Sequence, residues 1–206
     1  MTTTNQNSAY DYFYNHRYQE ALNIFINEKE YYHAGLCALL LKDIKNAQKF
    51  WKLKKNICPA SAFGLCVLDM INLKTDKRPS FFQTRAQLEV YINLFLENNL
   101  IEWAENLISC SDFLFFANPE SYKFIARALY ANGYFKLAIN FCKKSLNYMY
   151  SDPEALLIMS QCYYLLKDNG EALHFVNKVL DMVPEYFPAI IFRKIIKQEI
   201  DKKYNK

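Results

Sequence analysis

Histidine, cysteine and carboxylate side chains carry most enzymatic chemistry, and in this 206-residue chain they are few or scattered. Only three histidines occur, His16, His33 and His174. None falls into HxxxH, HExxH or a Cys/His spacing that would hold zinc, so each reads as a structural residue at a turn or on a helix. The six cysteines, Cys37, Cys58, Cys66, Cys110, Cys142 and Cys162, contain no CxxC pair and mostly sit among apolar neighbours. They read as reduced, buried small hydrophobes rather than disulfides or metal ligands. Carboxylate pairs such as Glu102 with Glu105, and Glu28 with Glu30 ahead of Tyr31-Tyr32, lie where solvated helix faces are expected. Neither GxGxxG nor GxxxxGK[ST] is present, and the chain's 4 glycines are too few for a phosphate cradle. The expectation is a protein with no catalytic residue, no metal and no cofactor.

The elements that carry these residues follow from composition. With 4 Gly and 6 Pro, the chain is poor in the residues that tight turns need, which disfavours sandwiches, barrels and Gly-rich nucleotide folds and favours long helices. Aromatic residues make up 17%, too many for a disordered chain. The balance of 25 Lys+Arg against 21 Asp+Glu gives +4, short of the clustered excess of a dedicated nucleic-acid binder, so nucleic acid is not the expected partner. Met1 to Tyr14 has neither a basic n-region nor an apolar h-region and reads as a polar lead-in. Stretches such as Ala34 to Leu41 and Ala60 to Leu68 fall well below the roughly 18 residues of a membrane span. A soluble, cytoplasmic, all-α domain spanning 1–206 is expected.

The decisive pattern is a repeat. Ala104, Ala138 and Ala172 are spaced 34 and 34 residues apart, which sets windows 85–118, 119–152 and 153–186. In the middle window Pro119-Glu120 opens a helix with Tyr122, Ile125, Ala126 and Leu129 on one face. Asn132-Gly133 ends it, and a second helix with Phe135, Ala138, Ile139 and Cys142 inward closes before Ser151-Asp152-Pro153. The third window has Leu156, Met159, Ser160 and Tyr163, then Asp168-Asn169-Gly170 as the turn and a second helix from about Glu171 to Met182, ending at Pro184.

This pattern resembles the tetratricopeptide repeat (TPR) family, whose repeat is a helix pair. The resemblance implies a small residue at the eighth position (Ala126, Ser160) and a large one at the eleventh (Leu129, Tyr163). It further implies alanine at the twentieth (Ala138, Ala172) and often proline at the thirty-second (Tyr150, Pro184). The window 85–118 departs, with Ile92 at the eighth and Phe116 at the thirty-second. Irregular pairs are expected over 8–84: a helix near Ala9 to Phe13 before one at Tyr18 to Phe25, and Ala34 to Leu41 before Asn46 to Trp51. Gly35-Leu36-Cys37 and Gly64-Leu65-Cys66 recur 29 apart and suit close helix packing. Lys74 to Ser80 reads as a long connection within one array. Residues 187–206 read as a capping helix with Ala189, Phe192, Ile196 and Ile200 inward and Arg193, Lys194, Lys197, Lys202 and Lys203 outward. The expected fold is a right-handed α-solenoid of antiparallel TPR-like pairs with this C-terminal cap.

In such an array the first helix of each pair lines a groove. The stripe beside the packing face is Lys123, Arg127 and Tyr130; shifting by the period gives Leu157, Gln161 and Tyr164, and Glu89, Asn93 and Leu96. These nine suit an extended peptide or protein segment held by hydrogen bonds and tyrosine contacts. Some TPR proteins grip a C-terminal carboxylate with lysine, asparagine and arginine on successive first helices; Asn93, Lys123 and Arg127 lie in that region, but Leu157 and Gln161 do not complete the set. The expected function is a non-enzymatic protein-interaction module or scaffold. Alternatives are a small secretion-type TPR chaperone, a self-assembling adaptor joined through Phe113, Phe115 and Phe116, and RNA binding by the basic last helix.

Overall fold

Helix ends need partners for their last carbonyls, and this chain supplies them with one device used seven times. In the computed structural model, which describes residues 8–204, His16, Lys29, Lys42, Leu73, Asn99, Gly133 and Lys167 adopt positive φ of 57 to 82°. In each case the next residue's N–H reaches back to the carbonyl five residues before it, as in Arg17 to Tyr12 (2.9 Å) and Tyr134 to Leu129 (2.9 Å). At six of the seven, that same residue is also the N-cap of the next helix, so one left-handed residue makes the whole connection. The lead-in up to Asn7 and the side chain of Lys203 lie outside the described residues.

Thirteen helices and no strand result among the described residues. The first pairs are α1 (Ala9–Tyr14) with α2 (Tyr18–Asn27), and α3 (Tyr31–Leu40) with α4 (Ile44–Lys54). Then α5 (Pro59–Met70) stands alone, packed on α4 and α6 (Phe81–Glu97), before 71–80 leads into α6. Ser80 and Gln83 form a reciprocal capping box that starts α6 four residues ahead of the 85–118 window. The second helix of that pair is broken into α7 (Ile101–Ser109) and α8 (Ser111–Ala117). At the break the Ser109 hydroxyl donates to the Asn106 carbonyl (2.7 Å) in competition with the helical ladder. Next come α9 (Ser121–Ala131) with α10 (Phe135–Tyr148), α11 (Pro153–Leu165) with α12 (Asn169–Met182), and α13 (Phe187–Tyr204) packed on α12. The chain is an all-α helical solenoid.

Two packing solutions hold it. In the C-terminal part Ala104, Ala126, Ala138, Ser160 and Ala172 are fully buried, and the Ser160 hydroxyl donates to the Ala172 carbonyl (2.6 Å), tying α11 to α12. In the N-terminal part a tryptophan fills the space that glycines leave. Trp51 is fully buried, with its Nε1 donating to the Tyr32 carbonyl (3.1 Å). A Cβ added at Gly35 would lie 2.1 Å from Trp51 Nε1, and one at Gly64 would lie 2.8 Å from both the indole and the Tyr91 hydroxyl. The repeated Gly-Leu-Cys strings therefore form a slot on α3 and α5 for one indole ring.

Two expectations are corrected. Gly170 is not in the turn: Asp168 caps α12 by accepting from the Glu171 N–H (3.1 Å), which draws Asn169 and Gly170 into the helix and leaves the left-handed position to Lys167. The cap α13 has the expected inner face, with Ala189 and Ile196 buried, but its outer face is not simply polar. Phe187, Ile190, Ile191 and Ile195 are exposed there beside Lys194 and Lys197.

Candidate functional site

The stripe is built on α6, α9 and α11, and its geometry is dominated by ion pairs between successive first helices. Arg127 on α9 donates Nε (2.9 Å) and Nη2 to Glu89 Oε2 on α6, and Nη1 to Glu154 Oε1 on α11 (2.9 Å). Its guanidinium is thereby clamped from both sides, and the hydrogen bonds it donates to Glu89 outweigh burial in holding its pKa above the ordinary arginine value. Asn93 accepts from Asn132 at the end of α9 (2.8 Å), a second bridge between the same helices.

Lys123 is buried rather than presented. Its Nζ lies 2.9 Å from Asp152 Oδ2, 3.1 Å from Glu120 Oε1 and 3.2 Å from Glu154 Oε2, and the side chain is only 8% exposed. Burial pushes this ammonium down, but the hydrogen bonds to Asp152 and Glu120 push it further up, so it is held charged. Asp152 serves two roles at once, because its Oδ1 caps α11 by accepting from Glu154 N (3.0 Å) and Ala155 N (3.2 Å). Glu120 also receives Arg85 of α6 (2.6 Å). Three cations, Arg85, Lys123 and Arg127, thus meet four carboxylates, Glu89, Glu120, Asp152 and Glu154.

Of the nine stripe residues, Glu89, Asn93, Leu96, Arg127, Tyr130, Gln161 and Tyr164 are half-buried at the surface, whereas Lys123 and Leu157 are buried. Leu157 joins the core beneath α12 and α13, since α11 is buried on nearly every side along its first two turns. Tyr164 packs edge-on against Phe192 of α13 (5.5 Å between ring centres). The reading from sequence missed Arg85, Glu120, Asp152 and Glu154. A signal existed: Asn118-Pro119-Glu120 and Asp152-Pro153-Glu154 recur 34 residues apart, and in both the Asn or Asp oxygen accepts the Glu N–H. A carboxylate grip fails on this geometry, because both cations that would make it are already saturated by the chain's own carboxylates.

His16 bonds Tyr18 (2.7 Å), His33 lies among the rings of Tyr10, Phe25 and Tyr32, and His174 rests on Phe175. All six cysteines are free thiols; burial raises Cys37 and Cys162 to about 12 and raises Cys66, Cys110 and Cys142 as well, which keeps these five protonated. Among the described residues no group of three His, Cys, Asp or Glu side chains converges as a metal site, and no helix is long and apolar enough to cross a membrane.

No protein-family model matches the chain, and no curated protein matches it in sequence. Among solved structures it is similar to the crystal structure of the C-terminal part of a TPR repeat-containing protein from Cytophaga hutchinsonii. The TM-score is 0.50 at 20% identity, over 95% of this chain and 71% of that one. At that identity the likeness speaks for the fold, a TPR-like helical solenoid.

Proposed function

We propose that the chain is a degenerate member of the TPR family and a non-enzymatic interaction module that holds a peptide or protein segment along the face of α6, α9 and α11. The observation that carries this reading is the Glu89–Arg127–Glu154 bridge, which ties three successive first helices into one preassembled surface. A rigid surface loses little conformational freedom on binding. With its cations neutralised, the face offers Asn93, Gln161, Tyr130 and Tyr164 to a peptide backbone, and its slight excess of carboxylates favours a neutral or basic segment over an acidic one. Free thiols throughout support a reducing, cytoplasmic setting.

The test is capture of partners from the native lysate followed by mass spectrometry, comparing wild type with an Asn93→Ala/Gln161→Ala variant. Partner recovery is expected to fall about tenfold while the thermal melt drops by no more than about 3 °C, the cost of the lost Asn93–Asn132 bond. Equal recovery from a variant that remains folded sinks the site.

A second reading, self-association, is favoured by the exposed isoleucines of α13 and not by the phenylalanine cluster. Phe115 is stacked on Tyr122 and packs at a tilt against Tyr148, Phe113 is half-buried beneath Arg78, and only Phe116 projects. Light scattering of an Ile191→Lys variant against wild type separates the two: a mass that is monomeric in both removes self-association.

A further inference from the structure

The cations of α6 and α9 are spent on internal pairs, but a second set is not. Between α4, α5 and the 71–80 connection lies a cleft of about 660 Å³ lined by Lys52, Lys55, Lys77 and Arg78. All four are exposed, and among the described residues none has an ion-pair partner. One carboxylate, Asp69, faces them, which leaves the cleft with three net positive charges. Two features fix the backbone that carries these cations. Lys52 and Lys55 stand one turn apart at the end of α4, beside the buried Trp51 that fixes this helix in its glycine slot. Arg78 lies over the rings of Phe113 and Phe116, 5.6 Å from each centre, which anchors the connection to α8.

We infer that this cleft binds an acidic peptide segment of a partner protein. Its floor of Ala62, Leu65 and Cys66 can take an aliphatic side chain, and Gln48, Asn56 and Gln83 carry amides that can bond an extended backbone. The four cations then meet the acidic side chains that flank such a residue. A nucleic acid fits less well, because no aromatic side chain lines the cleft for a base to stack on. The site shares no residue with the α6–α9–α11 face and has the opposite charge preference, so either can fail without the other.

Fluorescence polarisation tests it with three labelled probes: a short peptide alternating Glu and Leu, the same peptide with Gln for Glu, and an oligo-uridine of equal length. The wild-type chain is expected to bind the acidic peptide, to bind it more weakly as salt rises, and to ignore the Gln peptide. Lys52→Glu/Lys55→Glu is expected to weaken binding at least about tenfold. Lys77→Ala/Arg78→Ala, which leaves α4 intact, weakens it in the same direction should the first variant misfold. Lys194→Glu/Lys197→Glu on α13 and Asn93→Ala/Gln161→Ala on the other face leave it unchanged. No binding of the acidic peptide, tighter binding of the oligonucleotide, or an equal loss in the α13 variant overturns the proposal.

Discussion

The two ends of this solenoid use the same left-handed turn at different intervals. From α1 to α4 it closes every joint, at residues 16, 29 and 42, so a turn comes every 13 residues and a pair takes 26. From α6 to α12 it closes only the joint inside each pair, at 99, 133 and 167, a spacing of 34, while α8 to α9 and α10 to α11 are joined through Asn118 and Asp152. The difference of eight residues per pair is about two helical turns. Short helices offer less surface to bury, and the N-terminal pairs compensate with bulk, a tryptophan against two glycines, where the C-terminal pairs bring backbones together over alanine. The longer connections of the second part also place a carboxylate at the helix starts, and these carboxylates pair with the cations of the α6–α9–α11 face.

Breaking the N-terminal solution should have the largest effect. Trp51→Ala empties the glycine slot and is expected to cost about 4 kcal/mol; Gly35→Ala drives a methyl into the indole and should cost about 3 kcal/mol. Both are read by chemical denaturation. A loss below about 1 kcal/mol in both would mean that the slot does not hold the first half together.

The C-terminal part breaks at its charges. Lys123→Met leaves Asp152 and Glu120 without their buried partner and is expected to cost about 3 kcal/mol at neutral pH. Because Lys123 is held above its unfolded value, its stabilisation is complete below the free-lysine pKa of about 10.4 and is lost as pH rises beyond it toward the raised folded value. Wild type should therefore lose stability above that pH more steeply than Lys123→Met. Parallel curves would contradict the pairing.

The turns sharpen the comparison with smaller effects of opposite sign. Gly133→Ala puts a Cβ at φ 82° and should destabilise by about 1 kcal/mol, whereas Lys167→Gly at the equivalent turn should stabilise by up to about 1 kcal/mol. Gly170→Ala, inside α12, where an added Cβ would make only an ordinary contact with Asp168 Oδ1 (3.7 Å), should stabilise by about 0.5 kcal/mol. A loss at Gly170 would restore it to the turn.

These positions show what the sequence made legible. The scarcity of Gly and Pro and the alanines 34 apart led to an all-helical solenoid, and Gly133 fell at a turn where only its type marks it. Lys42, Lys167 and His16 adopt the same conformation, but those residue types do not announce it; the spacing of 34 from Gly133 was the available signal for Lys167. Lys123 reads as a surface residue by type and is buried because the Asp152 cap of the next pair closes over it. Glu120 and Glu154 were within reach, being one period apart behind a proline. The basic cleft was hidden in a net charge of +4, since it depends on the 71–80 connection folding back beside α4.

The claim that the face of α6, α9 and α11 holds the partner is tested most directly by amide hydrogen exchange on the chain with and without its captured protein. Slower exchange is expected in those three helices, with α2 and α12 unchanged. Protection that spares α6, α9 and α11 and falls on other helices would contradict the account.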